Sequence, residues 1–547
     1  MNDDRPKRRR WLRRLAYLGL TGLSVVVLFA AAITWSRLSG RSQLKRVLAE
    51  LEADGIELDW RKLRPPQEAS DGARLLIETG RIGGGGAARA FLPSPARMVG
   101  PGIFASALDR TNWSYVGLTN GSLTTNSADW EFVARAFASN QTAVAAYRRA
   151  LALEPPKFNV DYDNYPNTKT PHTGPALYAS VWLTADVLRS VREERYDESH
   201  QNLLATLHLT QSLANERGSW SLVVGQTVQN LAFRGLQEAA SRAKWHDQQW
   251  FQIQNTFAAV DWAELGRNAL ALEMAIGWRV YERVATNIAV GQDFFMWRSP
   301  EWLESSSNST LNWMESRMPM LHGWLDGGLD TVGTWWSEDA FPQLWNHAWR
   351  EADAAVFLRK QGAWLREINI RTNDAALTRL VQETDWDQFV TPELGYSENL
   401  VRQLSGQLEG VIHSKRFLTG LLVSQHRARL ATTVCEIHRY QLANGSPPPT
   451  LDALVPEFMA AVPPDPGDGH PLRYSLNAAG SWRLYSTGLD GQDDGGDGNP
   501  ASGFRFDPDV AKDILWPRPG TAEEVATFEN AFAERRAAKS RGEDSAE

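Results

Sequence analysis

The sequence predicts a mainly α-helical chain. We expect one N-terminal transmembrane helix, a multi-helix bundle or solenoid-like body, and a small α+β C-terminal unit with a β-hairpin. Three observations predict this. Residues 15–35 form an uncharged apolar run of 21 residues. Apolar residues recur at three- and four-residue spacing along much of 37–410, which is typical of helices. After Gly445, turn residues separate short alternating segments, which is typical of strands.

The apolar run has the length and flanks of a membrane anchor. At ~1.5 Å per residue it is about as long as the ~30 Å hydrocarbon core of a bilayer. Tyr17 and Trp35 lie near its ends, where aromatic rings favour the membrane interface. Seven basic residues precede the run and four follow it over a similar distance. We therefore expect a transmembrane helix at 15–36, with the N-terminus cytoplasmic.

A cleaved signal peptide is the alternative interpretation. The run Arg8-Arg9-Arg10 resembles part of a twin-arginine signal, and the alanines at 30–32 resemble a cleavage site. However, signal h-regions span ~7–15 residues, and this run continues to Trp35 without a polar segment. These features favour the uncleaved anchor.

Charge and cysteine content exclude several classes of function. The chain has 547 residues and a net charge of −8. The first 14 residues carry seven basic and two acidic groups, so the remainder carries −13. Such an acidic body has no electrostatic footprint for nucleic acid. Cys435 is the single cysteine, which excludes an intramolecular disulfide and a cysteine-based zinc or iron–sulfur site within the chain. We expect it to be buried and inert.

The first part of the body alternates helices with polar loops. We expect a helix over 37–58, a Gly- and Pro-rich loop over 83–102, and a helix over 128–153 capped by Asn126 or Ser127.

The next loop, 155–175, carries Asp161, Asp163 and Asn164 close together. Their oxygens are compatible with a cation, but a polar loop with Asx turns is the favoured interpretation. Four helices with short connections are then expected in 176–287, with turns at Gly218 and around His246.

A Trp-rich insert occupies residues 288–350. We consider three roles for it: an aromatic cap over the helical core, a membrane-surface contact, or the lining of a glycan groove. A long helix is expected to begin near Glu338.

The C-terminal unit is expected to begin with a helix from Phe417 to Asn444, ended by Gly445. A short helix capped by Thr450 and a turn over 465–469 follow. Segments 472–476 and 482–487 alternate like a hairpin. Residues 488–499 are rich in Asp and Gly.

This order resembles the C-terminal part of the major pseudopilin of type II secretion systems. The segments that carry the resemblance are YQLANGSPPPTLDALVPEF, PPDPGDGHPLRYSL and WRLYSTGLDGQDDGGDG. They cover about residues 430–500. In that family a helix leads through proline-bearing turns into a small sheet with a Ser-x-Gly-x-Asp-Gly loop that binds calcium. The chain also looks like large bacterial membrane-anchored proteins that carry this module, a resemblance that brings no activity with it.

The resemblance implies a calcium site in this chain. Ser486 and Asp490 match the pattern directly, and Asp493, Asp494 and Asp497 fall in its ligand-rich continuation. Residues 5–40 contain no prepilin-peptidase site, so the resemblance does not extend to polymerisation into a pseudopilus.

The predicted organisation follows from these segments. It is a basic cytoplasmic tail at 1–14, the anchor at 15–36, a helical body at 37–410, a pseudopilin-like unit at 411–516, and a helical or disordered tail at 517–547. The anchor and the resemblance together predict a single-pass protein of the bacterial inner membrane, with its body periplasmic or otherwise extracytoplasmic.

The sequence contains none of the common catalytic motifs that would indicate a reaction. No HExxH, GxSxG, P-loop or dinucleotide fingerprint is present. His426 and His438 share a predicted helix, and we expect surface or capping roles for them. The expected function is a non-enzymatic envelope scaffold or binding protein with a calcium-stabilised loop and an envelope or secretion protein as partner. The alternative is an envelope hydrolase or glycan-acting enzyme that uses the Trp-rich region.

Overall fold

The structure is a computed structural model and is mainly helical. It describes residues 5–540 except for 66–67, 83–96, 101, 110–111, 120–121, 153, 165–167, 288–340, 385–414, 479 and 497–511. Most of the predicted Trp-rich insert lies outside the described residues, as does Asp497.

The described residues divide into two compact units. The first comprises those within Met1–Lys62 and Met274–Arg366, and the second those within Leu63–Glu273, Glu367–Gln388 and Val411–Glu547. Three of the described helices contribute residues to both units, namely Trp60–Leu63, Trp262–Thr286 and Arg350–Asn369.

The first unit is built on one long helix, α1 (Arg5–Ala53). Its apolar part is exposed: Leu20 is 63%, Phe29 56% and Trp35 76% accessible. Beyond Trp35 the same helix is partly buried, with Val47 2% and Leu51 0% exposed. The helix is long and apolar enough to span a membrane. The predicted anchor and the predicted helix 37–58 are therefore one uninterrupted element, which ends at Ala53 rather than at residue 58.

Two close contacts hold α1 in its unit. A Cβ on Gly40 would lie 2.8 Å from the backbone nitrogen of Ala352, and a Cβ on Gly362 would collide with the Leu51 side chain. Arg41 and Arg366 add ion pairs to Glu351 and Asp54. Glycine at these positions lets the helices approach at backbone distance.

The other described helices are numbered α2 to α15 in chain order, and most of them lie in the second unit. Helix α11 and parts of α2, α10 and α12 belong to the first unit. Their bounds are α2 Trp60–Leu63, α3 Asp71–Ile82, α4 Trp130–Ser139, α5 Gln141–Leu151, α6 Thr173–Arg192, α7 Tyr196–Ala214, α8 Ser219–Ala240, α9 Asp247–Ala258, α10 Trp262–Thr286, α11 Phe341–Ala348, α12 Arg350–Asn369, α13 Asp374–Glu383, α14 Lys415–Asn444 and α15 Ala522–Ser540.

Helices α6, α7 and α8 pack against one another, and α14 lies against both α8 and α9. Their shared core includes Trp182, Leu209, Leu236 and Ile437, none more than 2% exposed. The predicted helices in 176–287 are confirmed, with α9 as an additional one, and Gly218 and His246 lie at the predicted turns as N-caps. Apolar spacing predicted these elements well because their packing faces are continuous.

Short strands complete the second unit. Their bounds are β1 Arg97–Gly100, β2 Ile103–Ala105, β3 Asn112–Thr119, β4 Ser122–Asp129, β5 Arg473–Leu476, β6 Trp482–Ser486, β7 Ile514–Leu515 and β8 Arg518–Pro519. Strands β3 and β4 form a hairpin, and β5, β6 and β7 form an antiparallel sheet. Strand β2 pairs with β1 on one side and, in parallel, with β8 on the other.

Two predictions are wrong in this region. The predicted loop 83–102 contains β1, whose pairing with β2 the local composition does not reveal. The predicted helix 128–153 begins later, at Trp130, and breaks at Asn140. Its N-cap is Asp129, whose side chain accepts a hydrogen bond from Phe132 N, rather than Asn126 or Ser127. Those two residues lie in β4.

The C-terminal elements agree more closely with prediction. Helix α14 ends at Asn444, and Gly445 has the left-handed φ of +76° expected at a helix stop. The hairpin β5–β6 is confirmed, with Leu476 opposite Trp482. The short helix after Thr450 is one 3₁₀ turn, Leu451–Leu454.

Candidate functional site

A buried carboxylate organises the C-terminal unit. We refer to Asp465, His426, Arg473, Ser486 and Thr487 as the Asp465 centre. Asp465 is 1% exposed and lies in the predicted turn that precedes β5. Ser486 Oγ donates to its Oδ1 at 2.5 Å, and the Thr487 backbone N–H donates to its Oδ2 at 2.8 Å. Arg473 Nη1 lies 3.2 Å from Oδ2 and supplies an opposite charge.

His426 joins this centre from α14. Its Nδ1 lies 2.6 Å from Ser486 Oγ. Because the serine hydroxyl donates to Asp465, the histidine Nδ1–H must donate to the serine, and Nε2 then carries no proton. Burial lowers the pKa of His426 to about 4, while the nearby Asp465 raises it. The imidazole is therefore neutral at ordinary pH.

The order of these three groups has a chemical consequence. In a hydrolytic triad the histidine takes the proton of the serine, and the acid binds the other ring nitrogen. Here the serine lies between the histidine and the acid, and all three side chains are 0–1% exposed. The arrangement satisfies a buried carboxylate and does not generate a nucleophile.

Arg473 connects the Asp465 centre to the acidic loop 490–496. Besides Asp465 it binds Asp468, at 3.0 Å from Oδ1, and Asp493, at 3.2 Å from Oδ2. Tyr485 OH donates to the other oxygen of Asp493 at 3.0 Å. The Gly495 N–H first, and then Tyr485 and Arg473, lower the pKa of Asp493.

The remaining loop carboxylates lie near one another. Burial raises the pKa of Asp490, and the neighbouring Asp494 raises it further. Asp513, which precedes β7, accepts from Gly496 N at 2.6 Å. Burial raises the pKa of Asp513, with Asp493 and Asp494 contributing. No sequence pattern points to Asp513, because at least 16 residues separate it from the loop.

The five predicted calcium ligands thus have different environments. Ser486 is engaged in the Asp465 centre and Asp493 with Arg473, whereas Asp490 and Asp494 lie together in the loop. Asp497 lies outside the described residues. Within the described ranges, no three His, Cys, Asp or Glu side chains are grouped so that they could hold a metal ion.

A second buried polar cluster lies among the helices. We call Tyr162, His172, Glu216 and Ser221 the Glu216 cluster. His172 Nε2 lies 2.8 Å from Glu216 Oε1, and Ser221 donates to the other carboxylate oxygen. Tyr162 OH donates to the Glu216 carbonyl at 2.7 Å. All four residues are buried. The cluster links the loop before α6, which carries Tyr162 and His172, with the start of α8, which carries Ser221.

The loop that carries Tyr162 follows the favoured prediction. The Asp163 N–H donates to Asp161 Oδ1 at 3.1 Å, which is the hydrogen bond of an Asx turn. The acids of this loop stand out in the sequence, but Tyr162 does not. Its hydrogen-bond acceptor, the Glu216 carbonyl, is 54 residues away.

Helix α14 carries further ionisable groups, of which Glu436 is buried and His438 is half-buried. Burial raises the pKa of Glu436 to about 8 and lowers that of His438 to about 4. His438 stacks on Trp250 with ring centroids 4.3 Å apart. Cys435 is buried as predicted. The expected surface or capping role is wrong for His426, which is fully buried because α14 packs on several sides. His438 is half-buried.

The chain was compared with known proteins. No protein-family model, curated protein or solved structure matches it.

Proposed function

We propose that this protein is a single-pass, membrane-anchored envelope protein that acts as a non-enzymatic scaffold or binding protein. The observation that carries the proposal is α1. Its apolar part is exposed on every side, and beyond Trp35 the same unbroken helix becomes part of a packed unit. Exposed Leu, Val and Phe at this density are stable in lipid and unfavourable in water.

The polar clusters support a scaffold rather than an enzyme. Side chains suited to acid–base chemistry, such as His172, Glu216 and His426, are buried and bonded to other protein groups. Catalysis requires such groups to reach a substrate. The resemblance to a secretion-system pseudopilin favours an envelope or secretion protein as the partner.

The membrane proposal is tested by fractionation and a topology reporter. The full chain should remain in the membrane pellet after carbonate washing, and a periplasmic reporter fused after Glu547 should be active. A matched cytoplasmic reporter at the same position should be silent. Recovery of the mature protein in the soluble fraction, with a new N-terminus near residue 33, would instead identify a cleaved signal peptide.

We further propose that calcium stabilises the acidic loop. Asp494 lies near Asp490 and also near Asp513, and a divalent cation would relieve the repulsion within these pairs. Calcium accepts six to eight oxygens in flexible geometry, so loop carbonyls could complete the shell. We expect an affinity on the order of 10⁻⁴ M, as in extracellular modules.

A thermal melt of the purified full chain tests this second proposal. Millimolar calcium should raise the midpoint temperature relative to chelator, because binding to the folded state stabilises it. The double variant Asp490→Ala with Asp494→Ala should lose the shift, whereas Asp197→Ala, in α7, should keep it. If calcium raises the midpoint of the double variant as much as that of Asp197→Ala, or does not raise that of the wild type, the proposed calcium site is wrong.

A further inference from the structure

Three arginines lie together where α1 leaves its exposed apolar part. Arg37 and Arg41 belong to α1, and Arg350 begins α12. Two and six residues separate Arg37 and Arg41 from Trp35, which places them ~3 Å and ~9 Å farther along the helix axis. The polar layer of a bilayer adds about 5–8 Å on each side of the hydrocarbon core. Their side chains therefore reach the depth of lipid headgroups.

The helix contact at Gly40 brings the three arginines together. The Gly40 backbone approaches Ala352 so closely that a Cβ would lie 2.8 Å from its nitrogen. Arg37 and Arg41 occupy one face of α1 because they are four residues apart. Burial first, and then the positive charges of Arg37 and Arg41, lower the pKa of Arg350.

One carboxylate, that of Glu351, pairs with two of the three arginines. Arg41 Nε lies 3.1 Å from both carboxylate oxygens of Glu351, and Arg350 Nη2 lies 3.3 Å from one of them. Arg350 Nη1 also donates to Asn346 Oδ1 at 2.9 Å, which holds its guanidinium in place. Within the described residues Arg37 has no ion pair. The cluster therefore retains two positive charges.

We propose that Arg37, Arg41 and Arg350 bind the headgroup phosphate of an anionic phospholipid. The lipid belongs to the leaflet that contains the Trp35 end of the apolar stretch. Guanidinium groups bind phosphate oxygens in bidentate geometry, and a headgroup at this depth supplies the missing negative charge. This inference rests on the proposed membrane anchoring of α1. It adds a lipid class and a fixed depth of the first unit at the membrane surface.

Lipid retention in nanodiscs tests the proposal. The full-length protein is inserted into discs that contain phosphatidylcholine with increasing phosphatidylglycerol. After insertion it is extracted in mild detergent, and the retained lipids are counted by native mass spectrometry. The wild type should retain phosphatidylglycerol over phosphatidylcholine. Arg37→Gln should weaken this preference about fivefold, which is the effect of ~1 kcal/mol for one basic residue at the surface.

Two further variants provide controls. Arg46→Gln removes an exposed arginine of the same helix that lies ~16 Å beyond Trp35, outside the headgroup layer, so it should behave like the wild type. Arg350→Lys keeps the charge but loses bidentate geometry, and should give an intermediate preference. Because Arg37 is exposed, Arg37→Gln should fold even if Arg350 variants do not.

The outcomes separate the two proposals. A chain that does not enter nanodiscs overturns both the anchor and the lipid site. A chain that enters but retains both lipids equally, or loses the preference equally in Arg37→Gln and Arg46→Gln, overturns the lipid site alone. Millimolar inorganic phosphate is added to the detergent-solubilised protein as a separate arm. If it raises the melting temperature through Arg37 while phosphatidylglycerol does not, the ligand is free phosphate and the lipid site is wrong.

Discussion

Two groups of carboxylates in the C-terminal unit have opposite environments. Asp465 is 1% exposed and accepts hydrogen bonds from Ser486, Thr487 and Gly467, with Arg473 as its counter-charge. In the acidic loop, Asp494 is exposed and has no comparable set of donors in the described part of the chain. Buried carboxylates require such donors, whereas exposed ones can be satisfied by water or by a cation.

This difference separates stability from ligand binding. Asp465 links the turn before β5 with β6 and, through Ser486, with α14. The loop acids link fewer elements and repel one another. We therefore expect the Asp465 centre to hold the unit together at all times, and the loop to respond to cations.

The largest expected effect comes from breaking the Asp465 centre. Asp465→Ala leaves Arg473 without its buried partner and Ser486 without an acceptor. Breaking a buried ion pair on one side costs about 3–5 kcal/mol. Asp494→Ala, the matched exposed control, should change the free energy of unfolding by less than ~0.5 kcal/mol. Urea unfolding of the solubilised protein measures both free energies. Equal effects would show that Asp465 contributes no more to stability than the exposed Asp494.

Sequence patterns predicted helix α14 and the hairpin β5–β6 of the C-terminal unit, but they did not predict the Asp465 centre. Helix α14 and the hairpin β5–β6 have local signals, namely apolar periodicity, Gly445 and a turn-forming connection. The Asp465 centre joins α14, a turn and β6, and its His426 and Ser486 are 60 residues apart. No local pattern encodes which distant polar groups meet in a core.

The pairing of β2 with β8 is likewise not encoded in any local sequence pattern. Strand β2 pairs in parallel with β8, with Ile103 opposite Arg518. Both strands are short, so neither shows the alternation by which strands are recognised. The charge pattern of α1 indicates an anchor, but the proximity of Arg350 to Arg37 depends on contacts across more than 300 residues, such as that of Gly40 with Ala352.

Glu436 is a second buried carboxylate, and it accepts fewer hydrogen bonds than Asp465 does. Gln254 Nε2 donates to its Oε1 at 3.0 Å, and burial raises its pKa to about 8. Its contribution to stability is complete below its ordinary pKa of 4.5 and is lost as pH rises toward 8. Glu436→Gln should therefore raise stability at pH 8, by on the order of 2–3 kcal/mol, and change little at pH 4. Denaturant unfolding at the two pH values measures this, and a uniform change would contradict the assignment.

Ser486→Ala removes one donor from Asp465 and leaves the ion pair with Arg473 in place. Loss of one hydrogen bond to a buried charged group should cost about 2 kcal/mol, less than Asp465→Ala. Ser475→Ala, on the exposed side of β5, is the control and should be nearly neutral. A loss as large as that of Asp465→Ala would mean that the serine, rather than the carboxylate, organises the centre. Thermal melts distinguish these outcomes.

Acid sensitivity should follow His438, the half-buried histidine of α14 that stacks on Trp250. The pKa of His438 is lowered to about 4, so its stabilising contribution is present above 6.5 and is lost as pH falls toward 4. His438→Phe retains the stacking on Trp250 and removes the titration. We expect the variant to lose about 1 kcal/mol less than the wild type between pH 7 and pH 5. An unchanged pH profile of unfolding would show that the ring is accessible to water.

The smallest expected effect tests the loop itself, because its sign should depend on calcium. In chelator, Asp494→Asn removes one of the charges that raise the pKa of Asp490 and Asp513, so it should stabilise the protein by ~0.3 kcal/mol. In millimolar calcium the same substitution removes a ligand and should lower the melting temperature. Asp493→Asn should be destabilising in both conditions, because Asp493 pairs with Arg473. If Asp494→Asn has the same sign with and without calcium, the loop is a solvated acidic turn. The contrast with the Asp465 centre would then be one of burial alone.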